Sequence, residues 1–171
     1  EDYATIGLVI VTNRIQGPSS ARKVVVAGFV VGVICSLIGS QIMGEFGPLV
    51  SFRVAVGSGL AFLVAQLVDI FVFNRLREQG WWKAPFVSTL VGATLDTVIF
   101  FTIAFSAALT ILEPANDVSW AGEVLPVLGL GPDAPLWVSL AIADWLVKMA
   151  LALVALVPFR VLVQRWSTKV A

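Results

Sequence analysis

The stretch "LVGATLDTVIFFTIAF", residues 90–105, sets one carboxylate, Asp96, inside an otherwise apolar run. Leu95 precedes it, and Val98, Ile99, Phe100 and Phe101 follow. The apolar segment around it runs from Phe86 to Leu112, long enough to cross a ~30 Å hydrocarbon core. A charge at the centre of such a helix costs about 2.5–3.5 kcal/mol even on the mildest insertion scale. An acid kept there is expected to face protein rather than lipid. Its neighbours agree: Ser88 and Gly92 lie about 80° and about 40° from Asp96 around a helix turning ~100° per residue. Small residues at that spacing mark a face that another helix approaches closely.

The rest of the chain fits a membrane protein. Of its 171 residues 58% are hydrophobic and only 13% charged, with a mean hydropathy of +0.95. A soluble domain of this size has too much surface for its volume to hide so much apolar material. The formal charge is zero, so no general attraction to nucleic acid is expected. With no histidine and a single cysteine, Cys35, the chain has no Ser–His hydrolase pair, intrachain disulfide or histidine switch. A zinc site would have to rest almost wholly on carboxylates. No metal, cofactor or enzymatic activity is expected.

Four apolar stretches meet the length for a span: Val24–Gly44, Leu49–Phe73, Phe86–Leu112 and Leu136–Val163. A fifth, Tyr3–Val11, is too short to span alone and reads as the end of a helix whose beginning is absent. The first residue is Glu1 rather than methionine, so a truncated or processed N-terminus is expected. The fold class is all-α, a polytopic transmembrane bundle of four full spans and a partial N-terminal helix, with 1–171 as one integral membrane domain.

The connections sort by charge. Arg14, Arg22 and Lys23 precede the first full span; Arg75, Arg77 and Lys83 lie between the second and third; Arg160, Arg165 and Lys169 close the chain. The alternate connections carry Glu45, and then Glu113, Asp117, Glu123 and Asp133, with no Lys or Arg. The positive-inside rule makes the basic side, with the C-terminus, cytoplasmic, and Glu1 external. The loop Glu113–Pro135, rich in proline and glycine, is expected to be irregular. Trp81 and Trp82, at a helix start on the basic side, read as interface anchors.

Two further small-residue ridges predict close helix packing: Gly28, Gly32, Ser36 and Ser40, and then Gly57, Ala61 and Ala65. Outside the loops, five charged residues remain: Arg53, Asp69, Asp96, Asp144 and Lys148. Asp144 and Lys148 are four apart, acid first, the favourable order for a local pair. Arg53 lies near the external end of its span and is expected to snorkel to the interface. Asp69 is expected to cap or pair with Arg75 or Arg77. Arg53 and Asp69 are about 160° apart around a helix, so they are not expected to share a face. Asp96 has no base one turn away. It must be protonated, paired across to another helix, or reserved for a ligand. Lys148 is the deeply placed cation within reach, and Gln66, Thr97 and Ser139 are further polar candidates.

Ionisable groups facing the inside of a small bundle suit a transporter. An intramembrane aspartyl protease also needs two membrane aspartates, but neither "QLVD" nor "ATLD" carries a Gly-x-Gly-Asp signature. No repeated filter residues suggest an ion channel, and a purely structural subunit would not normally keep five intramembrane charges. The residues alone reach a small polytopic transporter and name no substrate.

Three stretches carry the reading further: "RVAVGSGLAFLVAQLVDIFVFNRLR" (53–77), "WWKAPFVSTLVGATLDTVIFFTIAF" (81–105) and "WVSLAIADWLVKMALALVALVPFRVLV" (137–163). They resemble the queuosine precursor transporter family, within the vitamin uptake transporter group. "TNRIQGPSSARK" (12–23) resembles the family's first cytoplasmic loop more loosely. The resemblance implies import of a 7-deazaguanine, preQ0 or preQ1, across the cytoplasmic (inner) membrane for tRNA modification. It also implies six helices, the first expected to be missing here, and an acid before "TNR" where Ile10 and Val11 stand. The substrate-binding candidates are Asp96, Asp144, Lys148, Gln66, Arg53, Asp69, Phe100 and Trp145, with Phe62 and Phe101 as further stacking faces. The expected partners are a small deazapurine and the lipid bilayer. The alternatives are a transporter of another small molecule or vitamin, or an inactive structural membrane subunit.

Overall fold

Five α-helices carry most of the residues described by the computed structural model, which covers 2–45 and 47–167 and the side chains of 8–13, 15–45, 47–158 and 160. They are α1 (Asp2–Gln16), α2 (Pro18–Gln41), α3 (Phe52–Leu76), α4 (Lys83–Phe105) and α5 (Leu136–Ser167). Four of them, α2 to α5, are long and apolar enough to cross a membrane, α5 over Leu136–Pro158. The molecule is a helical membrane bundle, as expected where lipid leaves each backbone to satisfy its own hydrogen bonds. The side chains of Arg14 and Arg165, and Glu1 and Lys169 entirely, lie outside the described residues, so their part in the charge pattern stays a sequence reading.

The N-terminal segment differs from the short stub expected at Tyr3–Val11. It continues through "TNRIQ" as helix α1 and stops at Gly17, whose N–H donates to the Asn13 carbonyl at 3.2 Å. Gly17 has φ +86, a conformation that L side chains rarely adopt. Pro18 follows at the first position of α2, where its missing N–H leaves no gap in the helix. Ile10 and Val11, where the family resemblance calls for an acid, pack instead against Phe73, Ala84 and Leu76. Val9 joins Ala21, Val25 and Ile70 in a second cluster, backed by Phe62 and Leu63. These clusters tie α1 to α2, α3 and α4.

The closest packing is between antiparallel α3 and α4. A Cβ at Gly57 would stand 3.3 Å from the Phe100 carbonyl, and one at Gly92 would stand 3.3 Å from that of Ala65. The Gly57–Ala61–Ala65 ridge and the Ser88–Gly92 ridge thus meet as the sequence predicts. The Gly28–Gly32–Ser36–Ser40 ridge is open at Gly32. A Cβ at Gly32 would meet nothing within 4 Å, and among the described residues no helix covers it. Small residues permit close approach without compelling it.

Helix α4 ends at Phe105, short of the expected Leu112. Ser106 leaves the helix with ψ 132, and its hydroxyl accepts from the Ala108 N–H, starting a 3-10 turn over Ala107–Leu112. The acidic loop beyond holds two more short 3-10 turns and one small antiparallel strand pair, β3 (Val124–Pro126) with β4 (Asp133–Pro135). Another pair, β1 (Met43–Gly44) with β2 (Gly47–Pro48), joins α2 to α3. In the loop, the Ser119 hydroxyl and N–H hydrogen-bond Asp117 and hold its carboxyl below the usual range.

Candidate functional site

Two polar networks join α4 to its neighbours, one to α3 and one to α5. The first is at the acidic end of the bundle. Arg53 is 0% exposed, so the expected snorkelling is not what the structure shows. Its Nε donates to the Ile103 carbonyl at 3.0 Å and its Nη2 to the Ser106 carbonyl at 2.6 Å. These acceptors are at the C-terminus of α4, where backbone carbonyls lack helical partners and the dipole favours a cation. A base in the first turn of α3 opposes that helix's own dipole. Glu113 answers it: its carboxylate accepts from the Phe52 N–H at 3.2 Å and the Arg53 N–H at 3.1 Å. Arg53 therefore belongs to a helix-end clasp.

The second network lies deeper, where α3, α4 and α5 meet. Lys148 Nζ donates to Asp96 at 2.6 Å and to Asp144 at 2.5 Å, with Thr97 at 3.3 Å. The Thr97 hydroxyl donates to the same Asp144 oxygen at 2.8 Å. The sequence permits an isolated Asp144–Lys148 pair along one helix; the fold makes it a three-residue bridge between α4 and α5. Burying charge is tolerated only with such partners.

Beside this bridge is a cavity of about 20 Å³, room for about one water, so a larger ligand enters only as the three helices move apart. Gln66 and Asp69 line it from α3, Thr89 and Asp96 from α4 and Lys148 from α5, with Phe62 as the aromatic wall. Asp69 is 4% exposed and turned into this cavity, not towards Arg75 or Arg77 as the sequence suggests. It faces Ser88 and Gly92 across the α3–α4 contact. Asp69 and Arg53 are both buried although an ideal helix sets them on different faces. The reason is the ridge Arg53–Gly57–Ala61–Ala65–Asp69. Each four-residue step overshoots a turn by about 40°, so the ridge winds around α3 and meets different neighbours along its length.

The other candidates fall elsewhere. Phe100 packs edge-to-face on Phe101 and Phe105, away from the cavity lining. Trp145 donates from Nε1 to the exposed Thr94 hydroxyl at 2.9 Å. Ser139 accepts from the Leu128 N–H at 3.3 Å and anchors the loop. Trp81 is exposed, with the Arg160 guanidinium 5.2 Å from its ring centroid, bringing the last helix to the α3–α4 connection. Thr89 escaped the sequence reading, although it stands one position after Ser88 on the protein-facing side of α4. The Glu113 cap escaped it too, and the misplaced positive charge in the first turn of α3 was its signal.

A multi-span helical bundle with an ion bridge on the wall of an internal cavity defines a membrane protein built around an intramembrane polar site. The chain belongs to the family described as "Putative vitamin uptake transporter", whose profile matches residues 4–163. It is 32% identical over 161 residues to the "Queuosine precursor transporter" of Escherichia coli (strain K12), covering 86% of this chain and 62% of that one. The "Probable queuosine precursor transporter" of Haemophilus influenzae is 31% identical over 159 residues, covering 86% and 59%. That of Bacillus subtilis (strain 168) is 29% identical, covering 90% and 66%. The chain thus spans about three-fifths of the length of the first two relatives. All three carry the names of transporters, not enzymes. No solved structure matches the chain.

Proposed function

We propose that this chain carries a queuosine precursor, a 7-deazaguanine such as preQ0 or preQ1, across the cytoplasmic (inner) membrane, with its C-terminus in the cytoplasm. The observation that carries the reading is the Asp96–Lys148–Asp144 bridge on the wall of a cavity between three spans. A deazaguanine edge offers N1–H and N2–H₂ donors beside an O6 acceptor. A carboxylate accepts both donors side by side, and an ammonium serves O6. Asp96 supplies the first role. Lys148 supplies the second, O6 taking the place of its long contact to Thr97. Phe62 offers a face for the flat ring to stack on. The names of the relatives support this ligand class, and the basic ends of the spans support the orientation.

The test is uptake of labelled preQ0 and preQ1 by cells lacking their own synthesis and supplied with this chain. Accumulation above the empty-vector level is expected. No accumulation by a chain shown to reach the membrane overturns the reading. Cysteine labelling of intact cells checks orientation: Asn116 should react and Gln79 should be protected.

A further inference from the structure

We infer that the small cavity between α3, α4 and α5 is a site for one monovalent inorganic cation, an alkali ion, held by Asp69 Oδ1 and Gln66 Oε1. Both atoms are buried without a hydrogen-bond partner, on residues that are 4% exposed and line the cavity. A carboxylate oxygen and an amide oxygen are both acceptors, so neither satisfies the other. Leaving two such atoms unmet is costly, and a bound positive group removes that cost. They are three positions apart on α3, so they stand on neighbouring parts of one face. The cavity of about 20 Å³ holds one water or one ion of similar size. Gly92 keeps it open beside Asp69, since a Cβ there would lie 3.7 Å from Oδ1. Thr89 and Asp96 line the same space from α4.

Charge favours an ion over a water. Asp96 and Asp144 share the one ammonium of Lys148, and Asp69 adds a third carboxyl group whose Oδ1 meets no donor. Arg53 does not balance it, because its guanidinium is committed to the carbonyls that close α4. Inside a membrane, surplus carboxylates call for a counter-charge. One carboxylate, one amide and one hydroxyl suit a single positive charge on a hard, oxygen-binding cation. A divalent ion would ask for more carboxylates, and no cluster of three such ligands that could hold one is found among the described residues. The ion's two ligands are on α3, and the Lys148 bridge joins α4 to α5. Its occupancy therefore holds α3 against the other two helices, at the contact that has to part for a larger ligand.

The experiment is a melt of the purified chain in detergent, with no precursor present, in sodium, potassium or choline chloride at equal ionic strength. Choline is too large for the cavity. Sodium, potassium or both should raise the melting temperature over choline by about 3 °C or more, saturating with concentration as binding to the folded state alone requires. Asp69→Asn should abolish that rise, and Gln66→Leu should cut it by about half or more. The second variant serves where the first melts too low to read. Equal melting of the wild type in all three salts overturns the inference. A full wild-type response in both variants overturns it as well, since the ion would then bind elsewhere. Stabilisation by calcium chloride alone would assign the site to a divalent ion and overturn it too. No precursor enters this measurement, so its failure leaves the transport reading to be decided by uptake.

Discussion

The two polar networks that join α4 to α3 and to α5 use similar residues for different ends. At the acidic end, Arg53 is wrapped by main-chain groups: two carbonyls of α4 take its protons, while Glu113 caps the α3 N–H groups beside it. At the deeper level, the partners of Lys148 among the described residues are all side chains, Asp96, Asp144 and Thr97, and a cavity opens beside it. Main-chain partners are fixed by helix geometry and have no second arrangement. Side-chain partners can exchange one contact for another within a rotamer change. A buried charge in a membrane protein is thus first to be asked what kind of group satisfies it.

Mutations can break this comparison or sharpen it. The largest loss of stability is expected for Lys148→Met, which strands two half-buried carboxylates, at about 3 kcal/mol in a detergent melt. Adding Asp144→Leu should recover only part of this, because Asp96 still lacks that ammonium. Adding Asp96→Asn as well should restore the fold without restoring uptake. Recovery of uptake in the double variant would remove the bridge from the site. Arg53→Leu should cost about 3 kcal/mol, from two charged hydrogen bonds, with Arg53→Lys intermediate because an ammonium lacks the guanidinium fork. A fully stable Arg53→Leu chain that fails to bind ligand would erase the distinction between the two networks.

Asp96→Asn is expected to fold, since Asp144 still holds Lys148. It turns half the acceptor face into a donor, and binding of preQ1 to the purified variant should weaken by about 1.5–3 kcal/mol, roughly ten- to a hundredfold. Normal binding by a well-folded variant would make Asp96 a structural bridge. The smallest effect is expected for Trp145→Phe, which loses only the bond to Thr94 at the bundle surface, about 0.5–1.5 kcal/mol of stability with uptake unchanged. A strong loss of uptake would return Trp145 to the site.

The fate of individual residues shows where sequence reasoning holds. The placement of Asp96 on the protein side of α4 follows from Ser88 and Gly92 alone, because the period of a helix and the penalty for charge in lipid are local facts. The reading of Arg53 fails because snorkelling considers one helix, whereas two carbonyls of another helix lie within its reach. Asp69 is misassigned for the same reason: Arg75 and Arg77 are near in sequence, and the cavity is near only in space.

The sequence by itself determined that this is a helical membrane protein, where its long apolar helices lie to within about two helical turns, which end is basic, and that Asp96, Asp144 and Lys148 are ionisable groups inside them. Hydropathy, charge and small-residue spacing act along single segments, so one chain suffices to read them. Only the tertiary structure decided that Lys148 bridges two acids on different helices, that Arg53 closes α4, and that Asp69 and Gln66 look into the cavity. Those outcomes depend on how each helix is rotated and offset against its neighbours, which is set by packing among several helices at once.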